Sequence, residues 1–289
     1  MRFLRLFDLP ALCWRHRELL WSFIFRDLKA RYEGSLLGRL WPILNPLLLF
    51  CVYFFVFVVI LNMRFSERGE MFGSDALMGL FIISGILPWV FFTDSTTRSA
   101  GVVLENGNLV KKIAFPSQLL VVYAVAVNLV YFLIGLAVFL FIRLVFFYDL
   151  GVTPDGDALV GLPSSWPFLI VAIVLQAFFS VGLGLLLGAL NIFVRDVEQI
   201  APLALNFWFF TTPIVYPVEL IETNLPDYAG LMKFNPMYHL MELYHAALIF
   251  DHKSDPWLSA GVFALFALLV FIPGYSFFRS TKGRFADEI

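Results

Sequence analysis

The apolar residues of this chain collect into six long uncharged stretches: Ile43 to Leu61, Ala76 to Thr93, Ile113 to Ile142, Ala158 to Val194, Gln199 to Val218 and Pro256 to Phe278. Each predicts a membrane-spanning helix. The 19 residues of the first stretch rise about 28 Å at about 1.5 Å per residue, close to the ~30 Å of bilayer hydrocarbon. The third and fourth stretches exceed that need and include interfacial or tilted portions. Pro163 and Pro167 place the start of the fourth helix near Trp166. Ahead of the first stretch, Glu18 to Leu40 reads as a helix with Leu20, Phe23, Ile24 and Leu28 on one face and Arg26, Lys29 and Arg31 elsewhere around it. That is the pattern of a helix lying in the membrane interface. Between Pro217 and Asp255 the apolar patches are broken by Asn224, Pro226, Asn235 and Pro236, which predicts short helices dipping partway into the membrane against protein. The expected fold is all-α: an N-terminal segment over 1–42, a six-helix transmembrane domain over 43–279 and a tail over 280–289.

Composition agrees with a bilayer as solvent. The chain is 60% apolar and 15% charged, with a mean hydropathy of +0.83, whereas soluble domains carry about 25% charged residues. The net charge of −2 matters less than where the cations lie. Eight Lys and Arg precede the first stretch, three (Arg98, Lys111, Lys112) follow the second, one (Arg195) follows the fourth and three (Arg279, Lys282, Arg284) follow the last. Only Arg64, Arg68, Lys233 and Lys253 fall in the alternate loops, so both termini are expected in the cytoplasm. The acidic loop of Asp149, Asp155 and Asp157 is then expected outside, with Arg143 snorkelling from the outer end of the third helix. Cys13 and Cys51 lie at different depths, which speaks against a disulfide, and two thiols make no four-ligand metal site. With the first long apolar run starting at Ile43, no cleaved signal is expected.

Five segments carry a family resemblance: RDLKARYEGSLLGRLWPILNPLL from Arg26 to Leu48, ILPWVFF from Ile86 to Phe92, NIFVRDVEQI from Asn191 to Ile200, TTPIVYP from Thr211 to Pro217, and NPMYHLMELYHAAL from Asn235 to Leu248. In this order on this plan, the chain resembles the permeases of ABC-type polysaccharide exporters, which move O-antigen, capsule and teichoic acid chains; LNPLL and NPMYHLMELY are nearest the O-antigen branch. One departure is His245, where relatives often carry Arg. The resemblance implies a homodimer, two ATP-binding cassette ATPase subunits that hold ATP and Mg, and a lipid-linked polysaccharide of undecaprenyl diphosphate type. The chain itself would then hold no cofactor, be no enzyme and bind no nucleic acid, residing in the bacterial inner membrane. No GxxxxGK[ST] phosphate loop occurs.

The same resemblance makes the loop over 104–117 a coupling segment that docks the ATPase, with Glu105, Asn106, Asn108, Lys111 and Lys112, joined by Arg195 and Asp196 at the base. A positive-inside anchor is the plainer reading of the two lysines. Arg26, Lys29, Arg31 and Arg39 offer guanidinium forks and ammonium charge to the diphosphate at the entrance; attraction to anionic lipid, about 1 kcal/mol per cation, is the alternative. Aromatics make up 18% of the chain, and Tyr53, Phe54, Phe57, Trp89, Phe207, Trp208 and Tyr216 are candidates to line the glycan path. Sugar C–H faces pack on aromatic planes, and weak repeated contacts let a polymer slide. Lipid-facing Phe and interfacial Trp and Tyr are the ordinary alternative. His239, Glu242 and His245 are assigned to an outer gate in the segment 217–256, without a second carboxylate at metal-ligand spacing or a paired nucleophile. Ser180, Gly184 and Gly188 form a small-residue stripe for close helix packing. Capsule or teichoic acid export is the first alternative, and a small lipid or drug exporter the second. A glycan-modifying membrane enzyme lacks its cluster of ionisable residues, since Asp94 stands alone, and a secondary transporter would show inverted repeats.

Overall fold

The computed structural model describes residues 8–30, 37–61, 75–111, 115–147, 149–152, 158–249 and 255–289. Arg31 and Lys112 lie outside the described residues, as does the side chain of Arg39. Nearly everything described is helical: α1 (Asp8–Arg15), α2 (Arg17–Ala30), α3 (Trp41–Phe54, prolonged by a π-helical run Phe55–Ile60), α4 (Asp75–Glu105), α5 (Gly107–Val110) and α6 (Gln118–Phe146). After a small antiparallel ribbon of β1 (Asp149–Val152) and β2 (Ala158–Val160) come α7 (Phe168–Phe193), α8 (Val197–Phe210), α9 (Glu219–Asn224), α10 (Pro226–Met232), α11 (Pro236–Leu248), α12 (Pro256–Thr281) and α13 (Phe285–Glu288). Among the described residues five helices are long and apolar enough to cross a membrane, those containing α3, α4, α6, α7 and α12.

The fifth apolar stretch departs from expectation. Its helix, α8, is 14 residues long, about 21 Å, and stops at Phe210, with Thr211 to Pro217 irregular. Pro213 and Pro217 cannot donate to a helical ladder, and the Thr212 hydroxyl donates to the Trp208 carbonyl at 2.8 Å, closing the last turn.

Helix α4 is the axis of the bundle. Every residue from Met78 to Trp89 is buried, as are Phe91 and Phe92, because α3, α6, α7, α8 and α11 all pack around it. The uncharged stretch ended at Thr93, yet the helix continues to Glu105. Ser95, Thr96, Ser99 and Ala100 are small enough to be buried against neighbours, and Arg98 is paired with Glu105. The coupling segment therefore begins as helix, and only Gly107–Val110 forms a separate turn, α5. Pro88 inside α4 withholds one N–H from the ladder. Opposite it, Gln176 of α7 donates its Nε2 to the Pro88 carbonyl at 2.6 Å and accepts the Tyr244 hydroxyl of α11 at 2.6 Å.

Helix α7 is clamped on two faces by small residues. A Cβ at Gly182 would stand 2.6 Å from Phe271 Cα, and one at Gly274 would strike the Gly182 carbonyl, so α7 and α12 touch backbone to backbone. On the opposite flank, Cβ atoms at Gly184 and Gly188 would fall 2.7 Å from Ser99 Oγ and from the Ser99 carbonyl. The expected stripe is thus the contact with α4, and Gly182 adds a second seam that the period-four pattern did not include.

The termini share one end of the bundle, here called basal. Arg279 of α12 faces Asp8 of α1 at 3.5 Å, and Leu9, Leu20, Phe23 and Ile24 pack with Leu119, Tyr123, Phe278 and Phe285. Of the apolar face expected for α2, Leu20, Phe23 and Ile24 are buried and Leu28 partly so, and the described helix covers Arg17–Ala30 and is preceded by α1. The 280–289 tail folds back: α12 runs to Thr281, and Phe285 is buried 5.1 Å from the Phe278 ring. At the apical end Arg143 is 1% exposed and reaches one turn toward the end of α6, donating to the Phe147 carbonyl.

Two outcomes test this packing. Gly182→Val should lower stability by about 1–3 kcal/mol through overpacking, read from denaturant unfolding in detergent, while Gly261→Ala, whose added Cβ meets nothing within 4 Å, should leave it unchanged. Gln176→Leu strands the buried Tyr244 hydroxyl and should cost about 1–3 kcal/mol; Tyr244→Phe in the same background should recover part of that loss.

Candidate functional site

The apical half of the bundle is built around aromatic rings and one asparagine. Trp89 of α4 meets Phe209 at 5.6 Å and Trp208 at 6.4 Å, Phe92 meets Trp208 at 5.5 Å, and Tyr53 of α3 meets Phe209 at 5.2 Å. Tyr53, Trp89 and Trp208 are therefore one cluster, joined through Phe209, which the sequence reading had not singled out. Trp89 is buried in it and faces no open surface, whereas Tyr53, Phe54, Phe57, Trp208 and Tyr216 are half-buried. Phe54 lies over Gly79 beside Phe50. Phe207 stands apart. It is 74% exposed and shares an outward stripe of α8 with Ile200, Leu203 and Phe210.

Asn235 ties this cluster to α11. Its Oδ1 accepts Trp208 Nε1 at 2.9 Å and the Met237 N–H at 3.0 Å, and its Nδ2 donates to the Thr212 hydroxyl at 2.8 Å. The sequence reading used Asn235 as a helix breaker and as the first residue of a segment carrying the family resemblance. Asn directly before Pro is also the N-cap and N1 pattern that starts a helix, and that signal located the residue. Tyr216 donates its hydroxyl to the Phe210 carbonyl at 2.9 Å, satisfying a group the broken helix leaves free.

The three residues assigned to the gate sit on α11, and all are buried. The two histidines do not converge. His239 Nε2 is 2.8 Å from the Lys233 carbonyl at the start of the helix, while the His245 ring stacks on Phe81 at 3.9 Å near its end, next to Gly85. An Arg side chain in place of His245 would be longer than the imidazole, and Gly85 leaves no slack on that side: a Cβ there would lie 3.2 Å from His245 Nε2.

At the basal end charge is concentrated near the turns. Arg98 donates to both Glu105 oxygens at 2.8 and 2.6 Å. Glu198 of α8 comes up beside the same Gly101, where a Cβ would meet Glu198 Oε1 at 2.9 Å and Glu105 Oε1 at 3.3 Å. Asn191 of α7 accepts the Glu198 N–H at 3.2 Å. The carboxylates of α4 and α8 thus flank one glycine, with Arg98 on the outer side. Asn106 donates to the Val102 carbonyl at 2.8 Å, and Asn108 and Lys111 are exposed or partly so on α5 and just after it. Arg195 and Asp196 are exposed in the turn between α7 and α8. These candidates share the basal end, while Arg26 and Lys29 occupy the exposed flank of α2, the Arg26 guanidinium 4.8 Å from the Phe23 ring.

Comparison with known proteins fits this arrangement of long apolar helices. The O-antigen export system permease protein RfbA of Myxococcus xanthus is 29% identical over 276 residues, covering 96% of this chain and 97% of its own length. A Klebsiella pneumoniae protein of the same name is 27% identical over 262 residues, 91% of each chain. The polysialic acid transport protein KpsM of Escherichia coli is 22% identical over 262 residues, 90% of this chain and 92% of KpsM. The model of the ABC-2 type transporter family matches residues 18–249, from α2 through the end of α11, and the chain is a member of that family of multi-pass membrane proteins.

Proposed function

We propose that this chain is the transmembrane subunit of an ATP-driven exporter that carries lipid-linked polysaccharide of O-antigen type across the inner membrane. The observation that carries the reading is the end-to-end match to an O-antigen export permease, over 96% of this chain and 97% of that one. The match to KpsM, at 22% identity, keeps capsule polysaccharide as the second reading. The chain works as a homodimer with two ATPase subunits that bind ATP and Mg. It crosses the membrane six times, with α8 and the irregular Thr211 to Pro217 making the fifth pass and both termini in the cytoplasm. The bias of Lys and Arg toward the basal loops supports that orientation.

On this reading α5 and its flanks, Glu105, Asn106, Asn108, Lys111 and Lys112, face the ATPase together with Arg195 and Asp196. Arg26, Lys29, Arg31 and Arg39 attract the diphosphate of the carrier to the flank of α2. The glycan runs along Tyr53, Phe54, Phe57, Trp208, Tyr216 and Phe207, with Trp89 supporting the wall from behind. His239, Glu242 and His245 set the position of α11 at the outer end. Half-buried aromatic rings with few free hydrogen-bonding groups hold a sliding polymer weakly, as translocation requires.

Deletion of the gene should leave the host surface without its long-chain glycan while the lipid-linked form accumulates inside, and complementation with the intact chain should restore it. Unchanged surface glycan in the deletion strain ends the reading. A chain with Lys111→Glu and Arg195→Glu should insert normally but export at least about tenfold less, because each reversal sets like charges against an interface matched to the native ones. Wild-type export by that double variant removes these residues from coupling.

A further inference from the structure

The basal end contains a cavity that shares only Lys111 with the surface the export reading assigns to the ATPase. It has a volume of about 740 Å³ and lies between α1, the segment that leads into α6, and the last turns of α12. Its size falls in the ~300–1,000 Å³ range of small-ligand sites. Four cations line it, Arg15, Lys111, Arg279 and Lys282, against the single carboxylate of Asp8. Asp8 is taken by Arg279 at 3.5 Å. Lys282 Nζ meets only the neutral Gln118 Oε1, at 3.3 Å. The side chains of Arg15 and Lys111 have no ion pair or hydrogen bond among the described residues. The wall also holds Ser117, 1% exposed, whose hydroxyl has no hydrogen-bond partner among the described residues.

Among the described residues, the charged and hydroxyl groups left over here can all donate. Cations drawn to one wall repel each other, and a buried hydroxyl without a partner is costly, so the arrangement is complete only with an anion that accepts several hydrogen bonds at once. Guanidinium and ammonium groups around a serine hydroxyl match the oxygens of a phosphate. A carboxylate offers fewer acceptors, and Asp8 already supplies the one that Arg279 uses.

We propose that this cavity binds a phosphate ester, with Arg15, Lys111, Arg279 and Lys282 around the phosphate oxygens and the Ser117 hydroxyl donating from the wall. The site is distinct from the Arg26 and Lys29 flank of α2, and it stands whether or not the export reading does. The phosphate belongs either to an anionic phospholipid headgroup or to a soluble compound, and the two sources are separable.

The full-length chain in phosphatidylcholine nanodiscs is the material for the test, with thermal unfolding as the readout. One arm dopes the discs with phosphatidylglycerol; the other adds inorganic phosphate at constant ionic strength. At least one probe should raise the unfolding temperature of the wild type, and of Lys233→Gln at the other end of the bundle. In the pair variant Arg15→Gln/Lys111→Gln the apparent affinity for that probe should fall about thirty-fold, roughly fivefold per lost cation. A response to phosphatidylglycerol alone assigns the phosphate to lipid, and a response to inorganic phosphate assigns it to a soluble ester; either supports the site. If neither probe stabilises the wild type, or the pair variant keeps wild-type affinity, the proposal is overturned. It is equally overturned if the pair variant responds normally to both probes and instead loses capture of an ATPase subunit, which makes the cavity a docking surface. Should the pair variant not fold, Ser117→Ala carries the test: a severalfold loss of affinity supports the site, and unchanged affinity overturns it.

Discussion

The Gln176 amide is the joint on which the bundle depends. An apolar solvent supplies no hydrogen bonds, so non-helical backbone and stranded polar groups at membrane depth survive only when protein satisfies them. Pro88 breaks the ladder of the central helix, and α11 is a short helix set inside the apical half of the bundle with a tyrosine hydroxyl buried in it. Gln176 reaches both helices: its nitrogen binds the Pro88 carbonyl, one turn past the Ser84 carbonyl that the proline leaves without a helical donor, and its oxygen takes the Tyr244 hydroxyl. One side chain thus holds α4, α7 and α11 together, where apolar packing alone would leave three helices free to slide, since lipid is as apolar as leucine. The Ser165 hydroxyl adds a second bond into the same helix, at the Ala246 carbonyl, 2.6 Å away.

Close approach is what lets that joint form. Glycines on two sides of α7 bring it within backbone contact of α12 and against Ser99 of α4. With the three helices this near, α4 is buried from Met78 through Trp89, and Ser95, Thr96 and Ser99 of its second half are enclosed by protein. The consequence at the basal end is electrostatic. Arg98, Glu105 and Glu198 meet around Gly101 because no side chain there keeps α4 and α8 apart.

The sequence was most legible where one physical rule acted alone. Long uncharged stretches marked the helices that contain α3, α4, α6, α7 and α12, the apolar face of α2 was read correctly, and the breakers between Pro217 and Asp255 predicted the short helices that the structure contains. It was least legible where tertiary contacts overrode the local rule. The stretch ending at Thr93 stopped at a charge, but Arg98 finds Glu105 and the helix runs on. The fifth stretch had the composition of a span, and only the position of its prolines foretold that helix would end at Phe210. Among the candidate residues, the aromatic cluster was recognisable as residue types but not as a set. Trp89 and Phe207 have equal claims on composition, and burial separates them completely. Gln176 carried a signal that was available, a lone amide in an otherwise apolar span.

Rigid geometry then connects the two ends. Helix α4 is 31 residues long, about 46 Å. A tilt of about five degrees at its basal end moves its apical end by roughly 4 Å, comparable with the shifts of one packed element past another in switching proteins. Its apical end carries Phe81, stacked on His245, and its middle carries Trp89, set against Trp208 and Phe209. Close-packed interiors do not deform smoothly. A displacement imposed beside Glu105 therefore has to appear either as a change of angle at Pro88, where the ladder is already short of one bond, or as a movement of α8 and α11 with the helix. Gln176 bears on both outcomes, because it binds the carbonyl of Pro88 itself and the tyrosine of α11 at once.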